Sequence, residues 1–304
     1  MTVVAANLLR GALFLLLGFA PVLFAEGMHL ARATDAGSAS LAAPARRVVT
    51  LTPALTELVF AVGAGDKLVA VSAFSDFPDA ARKLPIVADA NGISLESLLA
   101  LKPDLVLAWN AGTRPADIKR LRALGLNVSV VDIAKMDDVA RAMRSIGSWS
   151  GRAAAAETAA REFESKLSVL RLSHTGKPKV KTFFQISSNP LMTINSDHVI
   201  SEMIDLCGGA NVFGDALGLV IEPSREALLA RAPEAILYGQ TAPDQRGVTP
   251  KIYQSLSAAR AGRIYGVTAD HALRPGPRLI HAATEVCEAL DQSRASLRAG
   301  QNRF

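Results

Sequence analysis

The chain of 304 residues has only two cysteines, two tryptophans and an aromatic share of 5%. Two cysteines without C-x-x-C spacing give redox catalysis no support. So few rings leave base-stacking platforms scarce, and the basic residues are scattered. The formal charge of +5 therefore reads as a mildly basic surface rather than a nucleic-acid interface. Long apolar runs are missing apart from one near the N-terminus, which excludes a multi-span membrane protein. An apolar share of 50% excludes a disordered or collagen-like chain. Catalytic signatures are absent too: there is no G-x-S-x-G, no G-x-x-x-x-G-K-[ST], no H-E-x-x-H and no G-x-G-x-x-G. The five histidines, His29, His174, His198, His271 and His281, have no metal-ligand spacing. Without a nucleophile, a metal triad or a phosphate loop, a non-enzymatic role needing no cofactor is expected; an exported enzyme is the alternative from another class.

What is present begins with an address. Arg10, the apolar stretch Gly11 to Ala25 and the small residues Ala31-Arg32-Ala33 read as a signal peptide over residues 1–33, with cleavage after Ala25 as a second option. The stretch is short for a bilayer span, and Pro21 with two glycines weakens the alternative of a retained anchor. Residues 34–45, rich in Ala, Ser and Gly, read as a spacer. No cysteine lies nearby for lipid tethering, so the expected product is a soluble periplasmic protein. In an exported chain an even cysteine count favours one disulfide over two buried free thiols. On the entropy model, closing so long a loop stabilises by roughly 4 to 5 kcal/mol, less any native strain.

An internal repeat organises the rest. LESLLALKPDLVL (Leu95 to Leu107) recurs as REALLARAPEAIL (Arg225 to Leu237), each a short amphipathic helix that stops near a proline and feeds an apolar strand. ELVFAVG (Glu57 to Gly63) is echoed by EMIDLCG (Glu202 to Gly208), each a helix ending at a glycine, where a left-handed cap carries no Cβ penalty. A weaker third match pairs GLNVSVVD at Gly125 with GRIYGVTAD at Gly262. Three matches in one order predict two similar lobes.

Within the first lobe, Arg46 to Leu51 reads as a strand. Thr52 then caps a helix with Pro53 in its first turn and an apolar face of Leu55, Leu58, Val59 and Val62; a strand at Leu68 to Ser72 follows. Alternation of this kind predicts an α/β fold with a mostly parallel sheet covered on both faces in each lobe. The lobes are placed at residues 46–150 and 175–290, with 291–304 as a polar tail. Between them, residues 151–174 hold an alanine-rich helix with Phe163, Leu167 and Leu170 on one stripe and Glu157–Arg161 and Glu162–Lys166 as i,i+4 pairs. The core of that helix, Arg152 to Leu172, has neither Gly nor Pro, so a rigid strut of about 32 Å is expected instead of a flexible hinge. Two such lobes leave a cleft walled by the loops after the strand carboxyl ends, Thr52 to Leu55, Phe74 to Pro78, Asp89 to Gly92, Trp109 to Arg114, Ile186 to Leu191, Leu219 to Pro223 and Asp270 to Pro275.

RVVTLTPALTEL, SAFSDFP, NGISLESLLALKPDLVLAW, EMIDLCGGANVF, SREALLARAPEAI and TADHALRPGPR together resemble the iron-complex and cobalamin receptor family of periplasmic binding proteins, its vitamin B12-binding members above all, from about Arg46 to about Leu290. The resemblance implies two α/β lobes joined by one long helix, a corrinoid held edge-deep between them, no enzymatic activity, and delivery by a monomer to an ABC permease dimer with its ATPase subunits. By motif position it implies that Pro53 and Ala54 approach the ligand through backbone, that Phe74 stands where the family has a tyrosine, and that Trp109 matches a cleft tryptophan. Ser187, Ser188 and Asn189 fall on the second-lobe loop covering the ligand, Asp270 and Arg274 match polar rim contacts, and Cys207 with Cys287 matches the family's disulfide.

The chain departs from the pattern where Ala90 and Val220 replace tryptophans on two facing loops and His271 replaces a third. These changes keep a haem or ferric-siderophore receptor as the alternative. Imidazole can coordinate cobalt or iron axially, so His271 is either an axial ligand or a rim histidine bonded to solvent or to Asp270. Glu96 and Glu226 are equivalent in the repeat. An acid in a helix's first turn gains roughly 0.3 to 1 kcal/mol from the dipole, and each follows a serine that could cap. In the family the matching glutamates dock onto permease arginines, and docking is the expected role here.

Overall fold

The computed structural model describes residues 43–241 and 251–301; the expected signal peptide and residues 34–42 of the spacer lie outside the described residues. The first lobe runs β1 (Val48–Thr50), α1 (Pro53–Ala61), β2 (Leu68–Ser72), β3 (Ile86–Asp89), β4 (Gly92–Ile93), α2 (Leu95–Ala100), β5 (Leu105–Trp109), α3 (Pro115–Ala123), β6 (Val128–Val131) and α4 (Asp137–Trp149). Its six strands are ordered β4-β3-β2-β1-β5-β6, parallel except for the β3–β4 pair. The central strands are apolar on both faces, β1 entirely buried and β5 buried up to Trp109, as a sheet sandwiched between helices requires.

After α5 (Ala153–His174) the second lobe follows as β7 (Val180–Gln185), β8 (Ser187–Ser188), β9 (Leu191–Ile194), α6 (Val199–Leu206), β10 (Gly209–Asn211), β11 (Val220–Ile221), α7 (Arg225–Arg231), β12 (Ala235–Gln240), α8 (Ser257–Arg260), β13 (Ile264–Thr268), α9 (Ala269–Ala272) and α10 (Leu279–Gln301). Its main sheet, β10-β7-β12-β13, is parallel, and a small antiparallel sheet, β11-β9-β8, stands beside it. The order β10-β7-β12-β13 repeats β2-β1-β5-β6 element for element, so the sequence repeat is a structural one. α1 and α6 both end at a left-handed glycine, Gly63 at φ 74° and Gly208 at φ 73°, a conformation only glycine adopts cheaply.

The strut forms, two residues longer at its end than its uninterrupted pattern, with Phe163 and Leu167 buried and both expected i,i+4 ion pairs made at 2.6 Å. It lies against α4, where Arg144 reaches Glu157 at 2.7 Å and Glu164 at 2.6 Å. The helices approach so closely that a Cβ on Gly147 would lie 2.2 Å from that of Ala156. One hydrophobic cluster runs from Val48 and Leu107 through Phe163 and Leu167 to Phe184 and Leu290, joining both lobes through the strut.

Three expectations need correction. Residues 291–301, expected as a polar tail, continue α10, and Ser293 and Arg294 in them are buried. Arg294 donates to the carbonyls of Pro178 and Cys207 and pairs with Asp291, so its polarity serves the interior. The first strand is shorter than Arg46 to Leu51 because Arg46 and Arg47 donate their backbone N–H groups to the Asp104 carboxylate instead of a neighbouring strand. Thr52 occupies the N-cap position of α1, but its hydroxyl makes no cap bond and is buried without a partner among the described residues.

Candidate functional site

A cavity of about 430 Å³ opens between the lobes. Its first-lobe wall is the loop after β5, Trp109 to Ala111, and the loop after β6, Asp132 to Ala134. Its second-lobe wall is Asp197 to Val199 at the start of α6, Leu219 and Val220 at β11, and Ala272, Leu273 and Pro275 after β13. The β5, β6 and β13 loops follow strand carboxyl ends, where a parallel α/β sheet leaves its binding crevice. Neither Lys nor Arg is among these lining residues. Leu217 stands 95% exposed, and Leu219, Val220 and Leu273 are also substantially exposed, an apolar surface that solvation alone does not favour.

Of the residues expected to touch a ligand, Trp109 and Val220 line this cavity. Trp109 lies over its own loop, whose close approach depends on glycine, since a Cβ on Gly112 would fall 2.2 Å from the indole. The indole Nε1 is buried with no partner among the described residues. Ala90 lines a separate hollow of about 220 Å³ on the first lobe together with Gly112, Thr113 and Arg114. Phe74 edges another of about 200 Å³. It is 74% exposed and held at φ 63°, a left-handed conformation that a phenylalanine keeps only where its surroundings impose it. Its sequence neighbours Ser72 and Ser75 are anchored in a buried hydroxyl chain: Thr50 to Thr56 at 2.7 Å, Thr56 to Ser75 at 3.0 Å and Ser75 to Ser72 at 3.2 Å.

Pro53 and Ala54 begin α1, and Ala54 is buried beside the second lobe, where a Cβ on Gly276 would meet its carbonyl at 3.4 Å. Ser187 and Ser188 form β8 and are half-buried, and Asn189 is exposed at the following turn. None of these five residues lines the cavity.

Asp270 and Arg274, expected at the rim, belong to an ionic network that crosses between lobes. Arg274 pairs with Asp270 at 2.9 Å, as its i,i+4 spacing suggests, and also reaches Asp76 of the first lobe at 2.6 Å. Arg278 grips buried Glu57 with both nitrogens, at 2.8 and 2.6 Å, and lies over the ring of Phe77 at 4.4 Å. Burial works to raise the pKa of Asp76, but the hydrogen bond and charge of Arg274 outweigh it and hold the carboxyl below its usual range. His271 is bonded neither to solvent alone nor to Asp270: its Nδ1 faces Glu285 Oε1 at 2.9 Å, while the other oxygen of Glu285 accepts from the backbone of Thr268. The carboxylate reaches it because α10 passes behind α9, a tertiary relation no local spacing reveals. His271 does not line the cavity, and no cluster of three or more metal-ligating side chains occurs among the described residues.

Glu96 and Glu226 are exposed in the first turns of α2 and α7. Ser224 Oγ caps α7 by accepting from Ala227 at 3.1 Å, whereas Ser94 turns its hydroxyl to Ser97 and makes no backbone cap. Cys207 and Cys287 form the expected disulfide between the end of α6 and α10. The cavity contributors not singled out from sequence are Asp132 to Ala134 and Asp197 to Val199. The first trio follows β6, and the carboxyl-end rule would have found it. The second follows the strand of the small antiparallel sheet, β9, whose position depends on the whole second lobe.

Two α/β lobes of matching topology, braced by one helix and facing each other across an apolar crevice, define a two-lobed solute-binding protein. The chain belongs to the periplasmic binding protein family, whose model matches residues 48–271. It is 34% identical over 245 residues to the vitamin B12-binding protein of Vibrio parahaemolyticus serotype O3:K6 (strain RIMD 2210633), a match covering 81% of this chain and 89% of that protein. The crystal structure of the periplasmic vitamin B12-binding protein of Vibrio cholerae superposes with a TM-score of 0.77 at 33% identity, over 83% of this chain and 98% of that one. A periplasmic heme-binding protein of Vibrio cholerae shares the fold, with a TM-score of 0.69 at 21% identity, over 80% of this chain and 98% of that one.

Proposed function

We propose that this chain is an exported, non-catalytic receptor that captures a cobalamin-like corrinoid between its lobes and delivers it to the permease of an ABC importer. The observation that carries the reading is the character of the inter-lobe cavity: largely apolar walls, two carboxylates in Asp132 and Asp197, and no lysine or arginine among the lining residues. Polyanionic chelates such as haem with its propionates, or a catecholate siderophore, call for cationic partners. A corrinoid with uncharged amides around its rim does not, and the vitamin B12-binding relatives match this chain over most of its length.

A cavity of about 430 Å³ admits the edge of such a macrocycle, with the rest standing in the mouth against exposed apolar residues such as Leu219 and Leu273. Trp109 and Val220 would form facing walls. Pro53, Ala54, Phe74, Ala90, Ser187, Ser188, Asn189, Asp270, His271 and Arg274 would contribute from the periphery, orienting the ligand more than holding it. Titration of the purified chain with cyanocobalamin, haemin and a ferric siderophore, followed by calorimetry and visible absorption, tests the reading. Saturable one-to-one binding of cyanocobalamin in clear preference to the other two is expected; preference for haemin or the siderophore would replace the corrinoid, and turnover of the ligand would remove the receptor role.

A further inference from the structure

Among the described residues lining the inter-lobe cavity, His198 is the only histidine. It occupies the N-cap of α6, where its Nδ1 accepts the backbone N–H of Ile200 at 3.2 Å. An amide N–H can only donate, so Nδ1 carries no proton, and the neutral ring holds its single proton on Nε2. That nitrogen has no hydrogen-bond partner among the described residues. Burial holds the ring's pKa down at about 4, which keeps it neutral in neutral solution. In this tautomer Nε2 offers a donor and no lone pair. Coordinating a metal there would require the ring to surrender its cap bond.

Resting on the corrinoid reading, we propose that His198 is a specificity-determining donor whose Nε2–H engages an uncharged amide carbonyl on the rim of the macrocycle rather than its metal. A fixed donor that the bound ligand seals from water discriminates sharply, because a ligand without a matching acceptor leaves it unpaired. The carboxylates of Asp132 and Asp197 on the same cavity work in the same direction, disfavouring a ligand that brings anionic groups.

Two substitutions separate the cap from the donor. His198→Asn places an amide oxygen near the Nδ1 position and keeps the cap, but withdraws the donor from the cleft. His198→Gln extends an amide N–H toward the Nε2 position but loses the cap. With cyanocobalamin as the probe, His198→Asn is expected to keep its Tm and lose about three- to tenfold in affinity, the worth of one neutral hydrogen bond. His198→Gln is expected to keep most of the affinity while its Tm falls. The visible spectrum of bound aquacobalamin should be the same for wild type and His198→Asn. A spectral shift present in the wild type and lost in His198→Asn would show metal ligation and overturn the proposal. So would unchanged affinity in His198→Asn, or an affinity loss that follows Tm and is larger in His198→Gln. A wild-type chain that binds no cyanocobalamin overturns the corrinoid reading itself and the proposal with it.

Discussion

Glu57 and Glu202 occupy the same place in the repeat, and each commits its carboxylate beyond its own lobe. Glu57 is buried and gripped by Arg278 of the second lobe, while Glu202 accepts the backbone N–H of Met136 from the first lobe at 2.7 Å and faces Arg171 of the strut at 3.3 Å. Replacing Glu57 by alanine leaves two arginines half-buried without it, so Glu57→Ala is expected to cost about 3 to 5 kcal/mol in urea unfolding, where an exposed pair would cost under about 1 kcal/mol. His198 gives a pH signature of its own. Its folded pKa, about 4, lies below the ordinary value of 6.5 because burial penalises the charged ring. The unfolded chain therefore binds more protons between those values: the stabilising contribution is full above pH 6.5 and is lost as pH falls toward 4. Between pH 7 and pH 5 the wild type should lose roughly 1 to 2 kcal/mol more than His198→Asn in urea unfolding. At this scale the residue types were legible in the sequence, whereas their partners, from Glu285 for His271 to Arg278 for Glu57, were not.

At the scale of elements, helix periodicity and glycine caps were read correctly because they are local. The strut, the α1 and α6 glycine stops and the strands of both repeats follow from spacing alone. The end of α10 looks like a surface segment in sequence because the partners of Arg294, the carbonyls of Pro178 and Cys207, and that of Ser293, the hydroxyl of Tyr265, come from distant parts of the chain. Gly147 makes the same point as a test. In an isolated helix, alanine in place of an interior glycine gains up to about 1 kcal/mol. Here the added methyl would lie 2.2 Å from the Cβ of Ala156. Gly147→Ala is therefore expected to destabilise by about 1 to 3 kcal/mol, the cost of overpacking, read as a lowered thermal midpoint.

For the whole molecule, the continuous core through the strut and the Glu57, Asp76, Arg274 and Arg278 network tie the lobes together, so ligand capture should involve modest closure rather than a wide hinge swing. Glu96 and Glu226 sit exposed on equivalent helices of these braced lobes. Docking to a two-fold permease predicts that the double change Glu96→Lys, Glu226→Lys abolishes import in cells while the affinity for cyanocobalamin stays unchanged; import that survives would leave helix-terminal electrostatics as their whole role. The sequence by itself determined the duplicated α/β plan, the rigid connector and the cysteine pair, because periodicity, capping and composition act over a few residues and a repeat compounds them. Only the tertiary structure decided which loops converge on the cavity, that His198 lines it while His271 turns to Glu285, and that the last helix runs on past residue 290 with Ser293 and Arg294 buried. Those outcomes depend on contacts between residues dozens of positions apart, whose free energy is settled by packing that no short stretch of sequence contains.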